Sequence, residues 1–497
     1  MTLDPGSTPA AVSAGPTPYD ALPYISGARA ATSIDRLATI GKLLGMNVAP
    51  PGRSRVLELG CGDGGNLIPM AVSFPQAEFI GLDLAPTAIQ RGERALAETG
   101  IGNVRLVEGT FTAADAGWGQ FDYIIVHGIY SWVPEATRDE LMGVIRDRLA
   151  PHGVAFVSYN ALPGSHIRGV LRDMMRLHTR EISEPAQKVA QARALLSMLM
   201  RAPAEAGDIY RPLLQSDIGK ALQSSDFLLY HDDLADISQP FFFSDFVAAS
   251  NRHALQFAAE ANFYQMSLDS LPPELAGPLA ELGQRDLIAK EQYLDFLTCR
   301  SFRQTLLCHA DVVLDRAIDV ERVRLFRFAS DAKRVEGDGE EGLVEFRCPN
   351  SSMLRTDNLS AIAALDELSR LYPRSLAFDE LASLSGAQDI AAAESLAEIL
   401  FRAFSAGVVE FRVSEPSAAF ELSERPVASP WARFRAGTGH VVNLYHQTVA
   451  IDDAGSAVLA LLDGAHTVTD VARELGLDEA EAKSEAEGLA ARALLVG

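Results

Sequence analysis

Cysteine and basic charge are both scarce in this chain. Its 497 residues include 4 cysteines, at positions 61, 299, 308 and 348, and no two of them form a C-x-x-C pair. A disulfide framework and a cysteine zinc site therefore have no basis in the sequence, and no metal is expected. Lys and Arg number 43 against 66 acids, a net charge of -23. Nonspecific nucleic-acid binding draws its affinity from Lys and Arg neutralising phosphates, so nucleic acid is not an expected partner. No stretch approaches the roughly 18 apolar residues of a membrane span. Residues 1–18 are rich in Pro, Ala, Ser, Thr and Gly, without a basic start followed by an apolar core. They read as a disordered leader and not as a signal peptide, which makes the cytoplasm the expected compartment. Hydrophobic content of 48% with 22% charged residues describes a soluble globular chain, long enough for roughly three domains.

What is present is concentrated between residues 55 and 83. Arg55 to Leu59 reads as a buried strand. It runs into Gly60-Cys61-Gly62-Asp63-Gly64-Gly65, and a helix opens near Asn66. Glycine at 60, 62 and 64 suits a backbone that must turn sharply beside a ligand. Glu78 to Asp83 reads as the next strand, ending on an acid placed to accept from two ribose hydroxyls. Gly60, Gly62 and Gly65 also satisfy the dinucleotide pattern G-x-G-x-x-G. Glu58 argues against a dinucleotide, because a pyrophosphate is repelled by a carboxylate at the strand end. An α-ammonium group is attracted by one. S-adenosylmethionine carries that ammonium, a ribose and no phosphate. The expected cofactor set is Tyr24, Glu58, Gly60, Cys61, Gly62, Gly64, Asn66, Asp83, Leu84, Thr110, Phe111 and His127.

The organisation around this site is legible as periodicity. Ile34, Leu37, Ile40, Leu43 and Leu44 mark a helix within 19–48. Strands are predicted at 55–59, 78–82, 104–107, 122–127 and 154–159, and helices at 66–73, 86–98 and 135–149, the last stopped by Gly153. Strand–helix alternation implies an α/β, Rossmann-like, mostly parallel sheet with helices on both faces. The expected units are a leader at 1–18, a cofactor-binding domain at 19–165, a helical regulatory or dimerisation domain at 166–320 without strands, a winged-helix-like middle unit at 321–415 and a winged-helix-like C-terminal unit at 431–497. A hairpin is expected around 336–339, a strand at 408–413 and a linker at 416–430.

Chemistry is expected at the carboxyl ends of the fourth and fifth strands. His127 and Tyr130 follow the fourth, Tyr159 and Asn160 end the fifth, and these four are the catalytic candidates. Methyl transfer is an in-line displacement at a cationic sulfur, so the protein must align the nucleophile and remove its proton. Trp132 reads as a core cap. Thr110 and Phe111 flank the expected adenine position. Tyr19 and Tyr24 read as a lid, His166 and Arg168 as weak substrate contacts. Cys308-His309 and Phe241 to Phe243 read as core, and Asp232-Asp233 and Glu336 to Glu341 as solvated turns.

Several blocks resemble one bacterial family, the class I methyltransferases that carry a methyltransferase regulatory domain. They are Tyr19-Asp20-Ala21-Leu22-Pro23-Tyr24, Arg36 to Ile40, Glu58 to Met70, Phe121 to Gly128, Tyr130-Ser131-Trp132-Val133-Pro134, Val157-Ser158-Tyr159-Asn160 and Arg172 to Met175, with Glu291 to Phe296 and Arg303 to Asp311 resembling the regulatory domain. The layout is similar to that of rickettsial protein-lysine methyltransferases, which have a cofactor domain, a dimerising insert, a middle domain and a C-terminal domain. The resemblance implies that Glu58, Gly60, Gly62, Gly64, Asp83 and His127 line the cofactor. It also implies a protein substrate methylated on lysine nitrogen, and a homodimer. One departure is Ser165, where the family has an aromatic after Pro-Gly. Asn443-Leu444-Tyr445-His446 and Asp453 to Gly464 resemble a small peptide-binding winged helix. The competing readings are a small-molecule methyltransferase, a non-catalytic cofactor sensor or scaffold, and a DNA-binding regulator, the last opposed by the acidic charge.

Overall fold

Strand β1 (Arg55–Leu59), β2 (Glu78–Asp83), β3 (Val104–Glu108), β4 (Phe121–Val126) and β5 (Leu149–Asn160) lie parallel in one sheet, in the order β3-β2-β1-β4-β5. The computed structural model describes residues 26–202, 209–269, 271–335 and 342–497. The leader, Tyr19, Tyr24, the acidic turn at 336–341 and its hairpin tip lie outside the described residues. Val56, Phe79, Tyr123, Ile125 and Phe156 pack on one sheet face with Ile34, Leu37 and Ile40 of helix Ile34–Leu43. Leu57, Leu59, Ile80, Ile124 and Val126 pack on the other, against Leu141, Met142 and Ile145 of helix Glu135–Arg148. Strands covered on both faces read as near-continuous apolar runs, which is why β1, β2, β4 and β5 were visible in sequence; β3, at the sheet edge, buries only Leu106. Each such fully buried side chain contributes about 1.5–3 kcal/mol. Helix Glu135–Arg148 ends before Gly153, which lies inside β5 and stops no helix.

The sheet does not end at β5. Two more strands, β6 (Leu255–Glu260) and β7 (Phe302–His309), complete it in the order β5-β7-β6, with β7 antiparallel to both neighbours. Residues 166–320, expected to be helical without strands, therefore are not purely helical. They supply helices Ser165–His178, Pro185–Arg201, Tyr210–Gln223, Phe243–Arg252, Pro273–Arg285 and Leu287–Thr298, and also the sheet's far edge.

Beyond it, strand Arg327–Ala329 pairs with Leu376–Ala377 and Glu410–Arg412, and a three-stranded ribbon joins helices Leu359–Leu371, Phe378–Leu384 and Ile390–Ser405. The last unit has a short hairpin (His440–Val442 with Thr448–Ala450) and helices Asp453–Leu461, Val468–Leu475 and Glu479–Ala491. The expected linker at 416–430 is instead part of that unit. Ala418 bridges to Val496, Ala428 to Leu495 and Val427 to Asp463. This unit docks on the sheet domain: Trp431 packs with Ile68 and Ala95, and Ser73 Oγ donates to the Leu444 carbonyl at 2.8 Å. Among the described residues no helix is long and apolar enough to cross a membrane.

Candidate functional site

A cleft of about 1090 Å³ opens at the carboxyl ends of β1, β2, β4 and β5. Its floor is the glycine loop after β1. Gly60 and Gly62 have φ of +77° and +57°, the left-handed region that side chains disfavour, and a Cβ on Gly60 would lie 2.3 Å from Ile129 Cδ1. The Gly62 amide donates to Asp83 Oδ2 at 2.7 Å and the Ala85 amide to Asp83 Oδ1 at 2.9 Å, so the loop and the acid after β2 hold each other. Burial raises the Asp83 pKa, against the pull of these backbone donors. Gly64 shares the turn, with φ of +77°, but does not line the cleft. The segment leading into the fold closes over the loop. Ser26 Oγ bonds to Asp63 and accepts from the Gly65 amide at 2.8 Å, and Ser26, Gly27 and Arg29 line the cleft.

Glu58 is 3% exposed. Its Oε1 accepts from Asn66 Nδ2 at 2.8 Å, and its Oε2 has no hydrogen-bond partner among the described residues. A buried carboxylate oxygen left without a donor is costly unless a ligand supplies one. Burial pushes Glu58 from the usual 4.5 up to about 8; the Asn66 hydrogen bond pulls it down, and Asp83 and Asp63 add to the rise. The folded pKa exceeds the unfolded one. This group's contribution to stability is thus fully present below about pH 4.5 and is lost as pH rises through about 8. An ammonium ligand requires the ionised form, so its affinity should climb between about pH 6 and 8, with about one proton released per site at the lower pH. Calorimetry of S-adenosylhomocysteine binding in two buffers of different ionisation enthalpy checks this. A flat pH profile would count against Glu58 as the ammonium's partner, and Glu58→Gln should abolish the slope.

The rest of the expected set divides. Cys61, Asn66, Leu84, Thr110, Phe111, His127 and Asn160 line the cleft with Glu58, Gly60, Gly62 and Asp83. Burial keeps the Cys61 thiol protonated. Tyr130 and Tyr159 do not line it. Both are buried in the core on the helix Glu135–Arg148 side of the sheet, where Tyr159 stacks on Phe246 at 4.0 Å and donates to or accepts from Thr305 Oγ1. Strand alternation is the cause: β5 turns Asn160 into the cleft and Tyr159 away from it. Burial raises both phenols, so neither is a proton relay. Trp132, expected as a core cap, lines the cleft. At His127, Ser158 Oγ accepts from the Gly128 amide at 2.9 Å and lies 3.1 Å from Nδ1. Burial, with Arg29 nearby, lowers this histidine to about 4, so it is a neutral donor and a weak base.

His166 and Arg168 line the far wall with residues the sequence reading passed over. Asp232 and Asp233, expected as a solvated turn, sit in a π-type turn (Leu229–Asp233). Asp233 is buried and takes both arms of Arg168, at 2.7 and 2.6 Å. Asp232 lines the cleft. Burial, then repulsion from Asp233, raises it to about 6, while Arg168 and Arg29 pull it down. Among the described residues no group of three or more His, Cys, Asp or Glu is arranged to hold a metal ion.

The comparisons with known proteins agree with this geometry. Residues 56–153 match a methyltransferase domain, residues 225–309 a predicted methyltransferase regulatory domain, and residues 424–488 the PKMT C-terminal winged helix domain. The uncharacterised protein RP789 of Rickettsia prowazekii is 36% identical over 309 residues, which is 62% of this chain but only 56% of that protein's length. RP028 of the same organism, also uncharacterised, is 32% identical over 234 residues, 47% of this chain and 94% of the other. PKMT2 from Rickettsia typhi, solved alone and in complex with AdoHcy, superimposes with TM-scores of 0.84 and 0.83 at 25% identity, covering 96% of this chain and 100% of that one. An unpaired buried carboxylate, a glycine cradle and an acid after β2 fit S-adenosylmethionine, the cofactor of this class. The chain belongs to the class I S-adenosylmethionine-dependent methyltransferases that carry a methyltransferase regulatory domain.

Proposed function

We propose that this protein methylates a polypeptide, on lysine nitrogen, with S-adenosylmethionine as methyl donor. The observation that carries the cofactor reading is the buried, unpartnered Oε2 of Glu58 in the cleft. Glu58 would take the cofactor's ammonium, Asp83 its ribose diol, and Thr110 and Phe111 would flank its base. The bound cofactor supplies an electrophilic methyl group on a cationic sulfur. The chain's own work is then to admit, align and desolvate the nucleophile. Asp232, ionised at neutral pH in the cleft wall, attracts a cationic side chain, and the Asn160 side-chain carbonyl can accept from the attacking nitrogen. The Rickettsia typhi neighbour bears the PKMT name, and residues 424–488 of this chain match the PKMT C-terminal winged helix domain, which favours a protein acceptor. A cytoplasmic location and a homodimer belong to the same reading.

Purified protein incubated with methyl-labelled S-adenosylmethionine and extract of the source cell should label discrete protein bands. Acid hydrolysis of those bands should return the label as N-methyl-lysine. Label confined to the small-molecule fraction would replace this reading with metabolite methylation. Bound cofactor without transfer would favour a sensor.

A further inference from the structure

The residues Asn443-Leu444-Tyr445-His446, singled out in sequence for their likeness to a peptide-binding winged helix, reach the cofactor site from the far end of the chain. Asn443, buried, accepts at Oδ1 from the amides of Tyr445 and Gln447, both at 3.0 Å, and so folds the hairpin loop tightly. The loop places His446 at φ +60°. Its ring is 2% exposed and lies against the sheet domain, Nε2 at 3.0 Å from Asn66 Oδ1. The same oxygen accepts the Arg29 amide at 2.9 Å and lies 3.0 Å from the Thr32 hydroxyl, so this edge of Asn66 is the carbonyl and the histidine nitrogen facing it carries the proton. The other edge, Nδ2, donates to Glu58 Oε1. Burial keeps the imidazole neutral, lowering it to about 3.

We propose that His446 is a positioning residue for the cofactor site: by orienting the Asn66 amide it fixes the Glu58 carboxylate, and so couples the C-terminal winged helix to affinity for the amino-acid end of the cofactor. This rests on the cofactor reading above. The coupling runs through two hydrogen bonds, His446 to Asn66 and Asn66 to Glu58.

The test compares two ligands of the full-length protein by calorimetry. S-adenosylhomocysteine has the ammonium that Glu58 would take; 5′-methylthioadenosine keeps the adenine and ribose and lacks the amino acid. Two variants separate reach from backbone strain. Asparagine tolerates positive φ but is too short to place a donor where Nε2 stands, whereas glutamine extends to that position. His446→Asn should weaken S-adenosylhomocysteine about 5- to 10-fold, the size of one lost orienting hydrogen bond, and leave methylthioadenosine unchanged. His446→Gln should recover most of the loss. Equal weakening of both ligands, or no weakening of either, would overturn the proposal and leave His446 as domain packing. Wild-type protein binding neither nucleoside would sink the cofactor reading and this one with it. The 10 histidines allow a check without any variant. In protein with 15N-labelled histidine, the His446 ring resonance should move with S-adenosylhomocysteine and not with methylthioadenosine; stillness with both would contradict the coupling.

Discussion

Arg303→Met is expected to destabilise the fold by about 3–5 kcal/mol at neutral pH, because it strands buried carboxylates without their counter-ion. Arg303 is completely buried on β7. Its guanidinium bonds Glu260 Oε1 at 2.6 Å on neighbouring β6, Asp295 at 2.9 and 2.8 Å, and Glu291 Oε2 at 3.2 Å, and it lies 3.9 Å from the Phe243 ring centroid. Burial pulls the guanidinium down, but Glu260 and Asp295 more than offset it. Lys290 partners Glu291 and Arg300 partners Asp295, so Glu260 is the carboxylate left most exposed to the loss. Burial already raises Asp295, and losing the guanidinium that pulls it down raises it further, so the penalty is smallest at acid pH and grows as pH rises. Denaturation midpoints across pH check this. A variant as stable as wild type at neutral pH would mean that the network is not what fastens the regulatory region to the sheet.

The halves of this chain differed in legibility for physical reasons. Strands β1, β2, β4 and β5 were readable because apolar runs covered on both faces alternate with helices and are punctuated by Gly60 and Pro86, and edge strand β3 by its place in that alternation. Strands β6 and β7 were not. Leu255-Gln256-Phe257-Ala258-Ala259-Glu260 and Phe302 to His309 bury polar groups, Glu260, Arg303 and Thr305 among them, that pair with each other, with Glu291 and Asp295 on helix Leu287–Thr298 and with Tyr159 across the fold. Without that pairing in view, a Leu- and Ala-rich stretch with acids and bases reads as helix. At the site, Glu58 and Asp83 were legible because local spacing places them. Tyr130 and Tyr159 were misjudged because nearness to a strand's carboxyl end does not say which face a side chain takes. Asp232 resembled a solvated turn, since its partners come from other helices. His446 meets Asn66 across 380 positions of sequence, a contact that only packing reveals.

Asp83→Ala is the second large effect, and it tests the central claim that the cleft at the carboxyl ends of β1 and β2 is the cofactor site. Ribose hydroxyls on a carboxylate make charge-assisted hydrogen bonds worth about 1.5–3 kcal/mol each. The alanine also strips the Gly62 and Ala85 amides of their acceptor and loosens the glycine loop. Together these predict at least about a 100-fold loss of affinity. The measurement is calorimetric titration of S-adenosylhomocysteine into wild-type and Asp83→Ala protein, with thermal midpoints taken alongside. Saturable one-site binding to wild type and a loss of about two orders of magnitude in a variant that still unfolds cooperatively, at a midpoint lowered by the two lost loop hydrogen bonds, is the predicted result. Equal affinity of the two proteins would contradict the account, because the nucleoside would then be held somewhere other than the end of β2.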